Sequence, residues 1–234
     1  SNIKFNTSVC LTTLYSYIRK GVFLRLEMKH LPFAGKRVKR KQHLTVNRPP
    51  RGTSIEERPN EVSSRKTFGH WEMDCVEGKK GTRKTLLVLT ERKTRNEIIR
   101  LMNDKTAASV IKALNALEKQ LGSELFAQVF QTITVDNGSE FSDYEGIEQS
   151  SIHKDRKRTK VYFCHPYSAY ERGSNENQNR MVRRHYPKGY DFTNTTPAEI
   201  HKLEKWINDY PREMFNYYSS AELYEACINS LMSA

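Results

Sequence analysis

Trp71-Glu72-Met73-Asp74-Cys75-Val76 is the stretch from which the rest of the chain is read. Its residues alternate with period two. A strand here sends Trp71, Met73 and Cys75 to one face and Glu72, Asp74 and Val76 to the other. Gly78-Lys79-Lys80-Gly81 follows as a turn. Thr85-Leu86-Leu87-Val88-Leu89-Thr90 is an unbroken apolar run of the kind a central strand carries. Asn96-Glu97-Ile98-Ile99-Arg100-Leu101 supplies a third strand, and the three are expected to form an antiparallel meander.

Outward from the meander, Val110, Leu114, Leu117 and Leu121 recur at helical spacing and stop at Gly122, which predicts a helix over 106–121. Gln131-Thr132-Ile133-Thr134-Val135 is β-rich and ends at the turn signal Asp136-Asn137-Gly138. A short helix over 142–151 and a strand over 161–164 come next. Helices are expected over 175–185, from Thr196-Pro197 to about Asp209, and over 221–231. This order of three strands, helix, strand, helix, strand and helices predicts an α/β fold, a mixed sheet flanked by helices.

Upstream of residue 68 the composition changes. Between Glu27 and Glu56 there is no acidic residue, while Lys29, Lys36, Arg37, Lys39, Arg40, Lys41, Arg48 and Arg51 carry most of the formal net charge of +12. Such a one-signed stretch is either a solvated linker or an arm that tracks phosphates, and its density favours contact with DNA. Before it, Leu11, Leu14, Tyr15 and Ile18 recur at helical spacing up to Gly21. This is either a helix packed on the core or the last helix of a helix-turn-helix. The expected zones are therefore 1–21, a basic connector over 22–67, and an α/β domain over 68–234. No apolar run approaches the roughly 20 residues that span a bilayer, so no membrane partner is expected. The start of the chain lacks the apolar core of a signal peptide. Cys10, Cys75, Cys164 and Cys227 stand at no metal-ligand spacing, and their apolar neighbours predict buried, reduced thiols in a cytoplasmic protein.

Three carboxylates fall where strands or a helix would hold them: Asp74, Asp136, and Glu176 in Gly173-Ser174-Asn175-Glu176-Asn177. An acidic cluster in a strongly basic protein calls for cations. Two divalent ions, Mg2+ or Mn2+, held by hard carboxylate oxygens beside a phosphate backbone make an arrangement for cutting or joining nucleic acid. Each acid alone also has a plain reading: Asp136 as a turn residue, Asp74 as an exposed strand charge, Glu176 as a favourable charge at a helix start. Glu72 shares the face of Asp74 and rivals it. Asn137 either steadies Asp136 by a hydrogen bond or simply makes the turn. Trp71 is expected in the core, and His70 and His165 are expected to be structural.

Several segments in order carry a family likeness: Arg51-Gly52-Thr53-Ser54-Ile55-Glu56-Glu57-Arg58-Pro59, Phe68 to Asp74, Thr90-Glu91-Arg92-Lys93-Thr94-Arg95, Asp136 to Phe141, Tyr162 to Ser168, Glu171 to Asn177, Tyr186-Pro187-Lys188-Gly189 and Asn208 to Arg212. Over nearly its whole length the chain resembles the insertion-sequence-thirty family of bacterial transposases. That resemblance implies a ribonuclease-H-like, retroviral-integrase-like core preceded by a basic arm and the remnant of a DNA-binding helix-turn-helix. It implies that Asp74, Asp136 and Glu176 are the catalytic, metal-binding triad. The implied reaction is cleavage at transposon ends followed by strand transfer into target DNA, by a homodimer or higher multimer on nucleoid-associated DNA. Lys36, Arg37, Lys39, Arg40, Lys41, Arg172, Asn177, Arg180, Arg183 and Lys188 are the expected DNA contacts. A catalytically silent DNA-binding regulator and a structure-specific nuclease are the alternatives on the same fold. The sequence departs from the family at Ala169-Tyr170, at an apparent insertion over His153 to Arg158, and at Ser219-Ser220.

Overall fold

The computed structural model describes residues 9–31, 52–165, 168, 171 and 173–233, with the side chain of Glu176 outside that set. Lys36, Arg37, Lys39, Arg40, Lys41 and Arg172 also lie outside the described residues. The chain divides into two compact units, 1–43 and 44–234. In the first, helix α1 covers Leu11–Arg19 and the chain leaves it through Gly21 at φ +70°, the left-handed turn that glycine favours. Ile18 is buried, whereas Leu11 and Tyr15 of the expected apolar stripe are exposed.

In the second unit α2 (Asn60–Ser64) precedes the meander β1 (His70–Glu77), β2 (Thr85–Glu91) and β3 (Glu97–Met102). Then come α3 (Ala107–Leu121), α4 (Ser123–Val129), β4 (Thr132–Val135), α5 (Tyr144–Glu148), β5 (Lys160–Phe163), α6 (Gly173–His185), α7 (Pro197–Asp209) and α8 (Ser220–Met232). The sheet order is β3-β2-β1-β4-β5. β1, β2 and β3 pair antiparallel, and β4 joins parallel to β1, with β5 parallel to β4. This is the mixed, helix-flanked sheet expected from the sequence.

The period-two alternation of β1 separates two cores. Trp71 and Met73 face Leu114, Phe126, Phe130 and Phe141. Trp71 stacks on Phe130 at 4.5 Å and its indole N–H donates to Val129 O. On the other face Val76, Leu86, Val88 and Ile99 meet Val182 of α6 and Ile200, Leu203 and Ile207 of α7. Glu72 and Asp74 therefore look toward α6. Helices α7 and α8 start in capping boxes, Thr196 with Glu199 and Ser219 with Glu222. Ser219 thus caps effectively despite the family departure there.

Two elements differ from expectation. Helix α4 went unread because only Phe126 and Val129 are buried in its seven residues, too few for a period to show. The helix expected over 142–151 is α5 alone, because Gln149 leaves it to pair with Lys157. The apparent insertion then returns to the core through Arg158. Its buried guanidinium donates to Ile147 O and to Glu118 Oε2, at 2.9 and 3.0 Å. The thiols also differ from expectation, since Cys10 is exposed and Cys75 and Cys227 are half-buried, although all four are free.

Both sheet edges are covered. On β3, Glu97 N–H donates to Asn208 Oδ1 and Ile99 N–H to Glu204 Oε2, so α7 side chains take up two of the outward strand donors. On β5, Phe163 N–H donates to Thr53 O, and Ser54 bridges to Phe163. Residues 52–64, read from sequence as connector, therefore lie against the sheet. Val62 is buried and Arg58 Nη1 donates to Thr134 Oγ1.

The fully buried carboxyl of Glu97 gives a pH test. Burial pushes its pKa from 4.5 up to about 8, against the pull of Thr90 and Arg212. A carboxyl raised on folding stabilises fully below the unfolded pKa and loses that contribution as pH rises through the folded one. The melting temperature should fall between about pH 5 and about pH 8. Glu97→Gln should flatten that slope, as checked by thermal melts across the range.

Candidate active site

The parallel pairing of β1 with β4 brings the first two acids together. Glu72 lies opposite Thr134. Two residues further along the chain in each case come Asp74, inside β1, and Asp136, where paired strands lie about 4.8 Å apart. Asp136 is the first residue after β4, while β1 runs on to Glu77. Here, between β1 and β4, the chain also reverses its order across the sheet, the place where open α/β sheets bind ligands.

Each aspartate is held. Asp74 Oδ1 accepts from Cys75 N–H and Oδ2 from Asn179 Nδ2, both at 2.9 Å. Asp136 Oδ1 accepts from Gly138 N–H at 2.9 Å, closing an Asx turn. Asn137 Nδ2 donates to Cys164 O at 2.8 Å and ties the turn to the end of β5.

Glu72, the rival of Asp74, is committed elsewhere. It is buried, Arg92 Nη1 meets its Oε1 at 2.5 Å, and Asn175 N–H donates to its Oε2 at 2.8 Å. Asn175 Nδ2 also donates to the Glu72 carbonyl. Arg95, in the left-handed region at φ +61°, donates to Ser174 Oγ and accepts at its carbonyl from Gln178 Nε2. The turn 92–95 and Glu72 thereby clamp the first turn of α6. The backbone of Glu176 sits between Asn175, bonded to Glu72, and Asn179, bonded to Asp74. The helix bearing the third acid lies on the face of the sheet that carries Asp74.

The electrostatics are acidic at this point and basic around it. Burial raises the Cys75 thiol pKa, and the charges of Glu140, Asp74 and Asp136 raise it further. Burial opposes the charge of Lys105, but its hydrogen bonds to Glu77 and Glu140 outweigh that and hold it protonated. Of the other sequence-derived candidates, Asn177 and Arg180 are exposed on α6, Arg183 is half-buried two turns beyond Glu176, and Lys188 is exposed just past the helix. His70 contacts Thr132 Oγ1 at 2.8 Å and His165 lies between Glu171 and Glu56.

The donor chemistry fits a hard divalent cation. Asp74 and Asp136 give two carboxylates. The Oδ1 atoms of Asn179 and Asn137, beside them, are buried with no hydrogen-bond partner among the described residues. Among those residues no three His, Cys, Asp or Glu form a cage, and the side chain of Glu176 is not one of them.

The chain is similar to several known proteins. Residues 64–169, which include Asp74 and Asp136, match the integrase core domain family. The chain is 36% identical to the probable transposase for insertion-like sequence element IS1161 of Streptococcus salivarius, over 91% of this chain and 58% of that protein. It is 30% identical to transposase InsI for insertion sequence element IS30C of Escherichia coli (strain K12), over 95% of this chain and 56% of that protein. The chain thus spans somewhat more than half the length of these relatives. Among solved structures, the catalytic core domain of BIV integrase is similar at a TM-score of 0.48 and 15% identity, covering 71% of this chain and 99% of that one. Residues 64–169 are thus similar to the integrase core domain family, and over most of its length the chain is similar to transposases of insertion sequences, IS30 elements among them.

Proposed function

We propose that this chain is the catalytic part of a DNA transposase, with Asp74, Asp136 and Glu176 as its metal-binding triad. The observation that carries the reading is the junction of β1, β4 and α6. The parallel register that pairs Glu72 with Thr134 supports putting Asp74 near Asp136, and the Asn179–Asp74 hydrogen bond ties α6, which carries Glu176, to Asp74.

Two bound Mg2+ or Mn2+ ions would supply activation of the attacking oxygen and charge stabilisation at the leaving one. Asp74 and Asp136 would anchor such ions, with Asn179 and the Asp136–Gly138 turn fixing their orientation. Glu72 and Arg92 act as positioning residues for α6. The basic arm with Lys36, Arg37, Lys39, Arg40 and Lys41, together with Arg172, Asn177, Arg180, Arg183 and Lys188, is assigned to DNA phosphates. Residues 1–21 are assigned to a DNA-binding helix-turn-helix, 22–67 to the basic connector and 68–234 to the catalytic core. The substrates are transposon ends and target DNA, handled by a homodimer or higher multimer.

A labelled duplex copying the element's end, incubated with the protein, Mn2+ and a target plasmid, tests this reading. Strand-transfer product is the expected result. Cleavage without joining would make the protein a nuclease, and salt-sensitive binding without either would make it a regulator.

A further inference from the structure

A cleft of about 640 Å³ opens beside the acidic junction, between the β1–β2 hairpin and the segment after α6. Lys79, Lys80, Arg83, Arg183 and Lys188 line it. Its lining carboxylate, Glu77, is held by Lys105. Lys84 is spent on the wall itself, donating to Thr193 O and Thr195 O.

The walls are ordered. Lys79 N–H donates to Tyr190 O at 2.7 Å, and both the amide and the hydroxyl of Thr82 donate to Lys79 O. At Gly78 a Cβ would come within 2.7 Å of Tyr190 O and of the Phe192 ring, so the hairpin packs on the 190–192 segment as only glycine allows. Arg183 follows Asn179 by one turn along the same face of α6. Its Nη1 is buried with no hydrogen-bond partner among the described residues. That is an unmet donor in a basic cleft.

Both β1 and α6 run from the acids to this cleft. Three residues of strand separate Asp74 from Glu77, a rise of about 10 Å, or roughly three base-pair steps of a duplex. We infer that the cleft is a second nucleic-acid site, which grips the phosphodiester backbone of a duplex about three base pairs from the scissile phosphate. This rests on the function proposed above. It extends that reading to Lys79, Lys80 and Arg83 on a hairpin that no motif of the chain singles out. The backbone held is that of either the element's end or the target.

The test uses the exposed pair Lys80→Ala/Arg83→Ala. The control is Lys112→Ala/Lys119→Ala, which removes the same charge from α3 on the opposite face. Binding is measured as a function of salt with two duplexes, one of arbitrary sequence and one copying the element's end. Each phosphate left without its cationic side chain lowers the log–log salt slope by about 0.9. The hairpin pair should lower it by up to about 1.8 and the control should not. A lower slope on the element-end duplex alone assigns the donor strand to the cleft; a lower slope on both duplexes assigns backbone of either source. If the control lowers the slope as much, or the hairpin pair leaves it unchanged, while the wild type still cleaves with Mn2+, the cleft assignment fails and the transposase reading stands. If the wild type neither binds nor cleaves DNA, both fall.

Discussion

Asp74→Asn and Asp136→Asn are each expected to lower metal-dependent DNA cleavage by about 10²–10³-fold, the scale on which removal of a group that stabilises transition-state charge acts. The carboxamide keeps the size of the side chain and one oxygen. At position 74 that oxygen still accepts from Asn179 Nδ2, so α6 stays in place. What disappears is the negative charge that binds a divalent ion. Folding should not suffer. Asp74 is half-buried within β1, and removing one of two neighbouring carboxylates relieves repulsion rather than adding it. Melting temperature and DNA affinity should therefore stay near wild type or rise slightly, while nicking and joining of a labelled duplex in Mn2+ vanish. Near-normal cleavage by either variant would remove that aspartate from the triad.

Glu72→Ala is expected to act the other way, through stability. Glu72 and Arg92 are both buried, and Arg92 Nε already lacks a partner among the described residues. Deleting the carboxylate strands a buried guanidinium and the Asn175 N–H together. Breaking one side of a buried pair costs about 3–5 kcal/mol. For a chain of this size that is a fall in melting temperature of roughly 6–20 °C. Glu72→Gln retains an acceptor for Asn175 and should fall less. The double change Glu72→Leu/Arg92→Met should cost less than the sum of the single changes, because it removes the orphaned charge as well. A Glu72→Ala melt within about 2 °C of wild type would show that the clamp on α6 contributes little.

Much of this was legible in the sequence, for physical reasons. Strand alternation in Trp71 to Val76 fixes which side chains share a face, and the apolar run of β2 fixes the centre of the sheet. Asp136 announces itself by ending a β-rich run at an Asp-Asn-Gly turn. The roles of Glu72, Arg92, Arg95, Asn175 and Asn179 were hidden because they depend on contacts between residues 20 to 105 positions apart, which carry no local period. Thr90 to Arg95 could be recognised as a motif, yet its task of holding the first turn of α6 appears only in three dimensions. Glu140 and Lys105 were missed for the same reason. Arg158 was passed over because a lone arginine in a basic loop looks solvated until Glu118 is placed beside it.

The covered sheet edges restrict how copies of this protein can associate. A strand of a second molecule finds neither β3 nor β5 bare, since Asn208 and Glu204 occupy two donors of one and residues 53–54 pair with the other. Among the described residues, strand addition at either edge would have to displace these contacts. Cross-β polymerisation, a hazard for any protein crowded along a polyanion, has no template here until α7 or the 52–54 segment peels away.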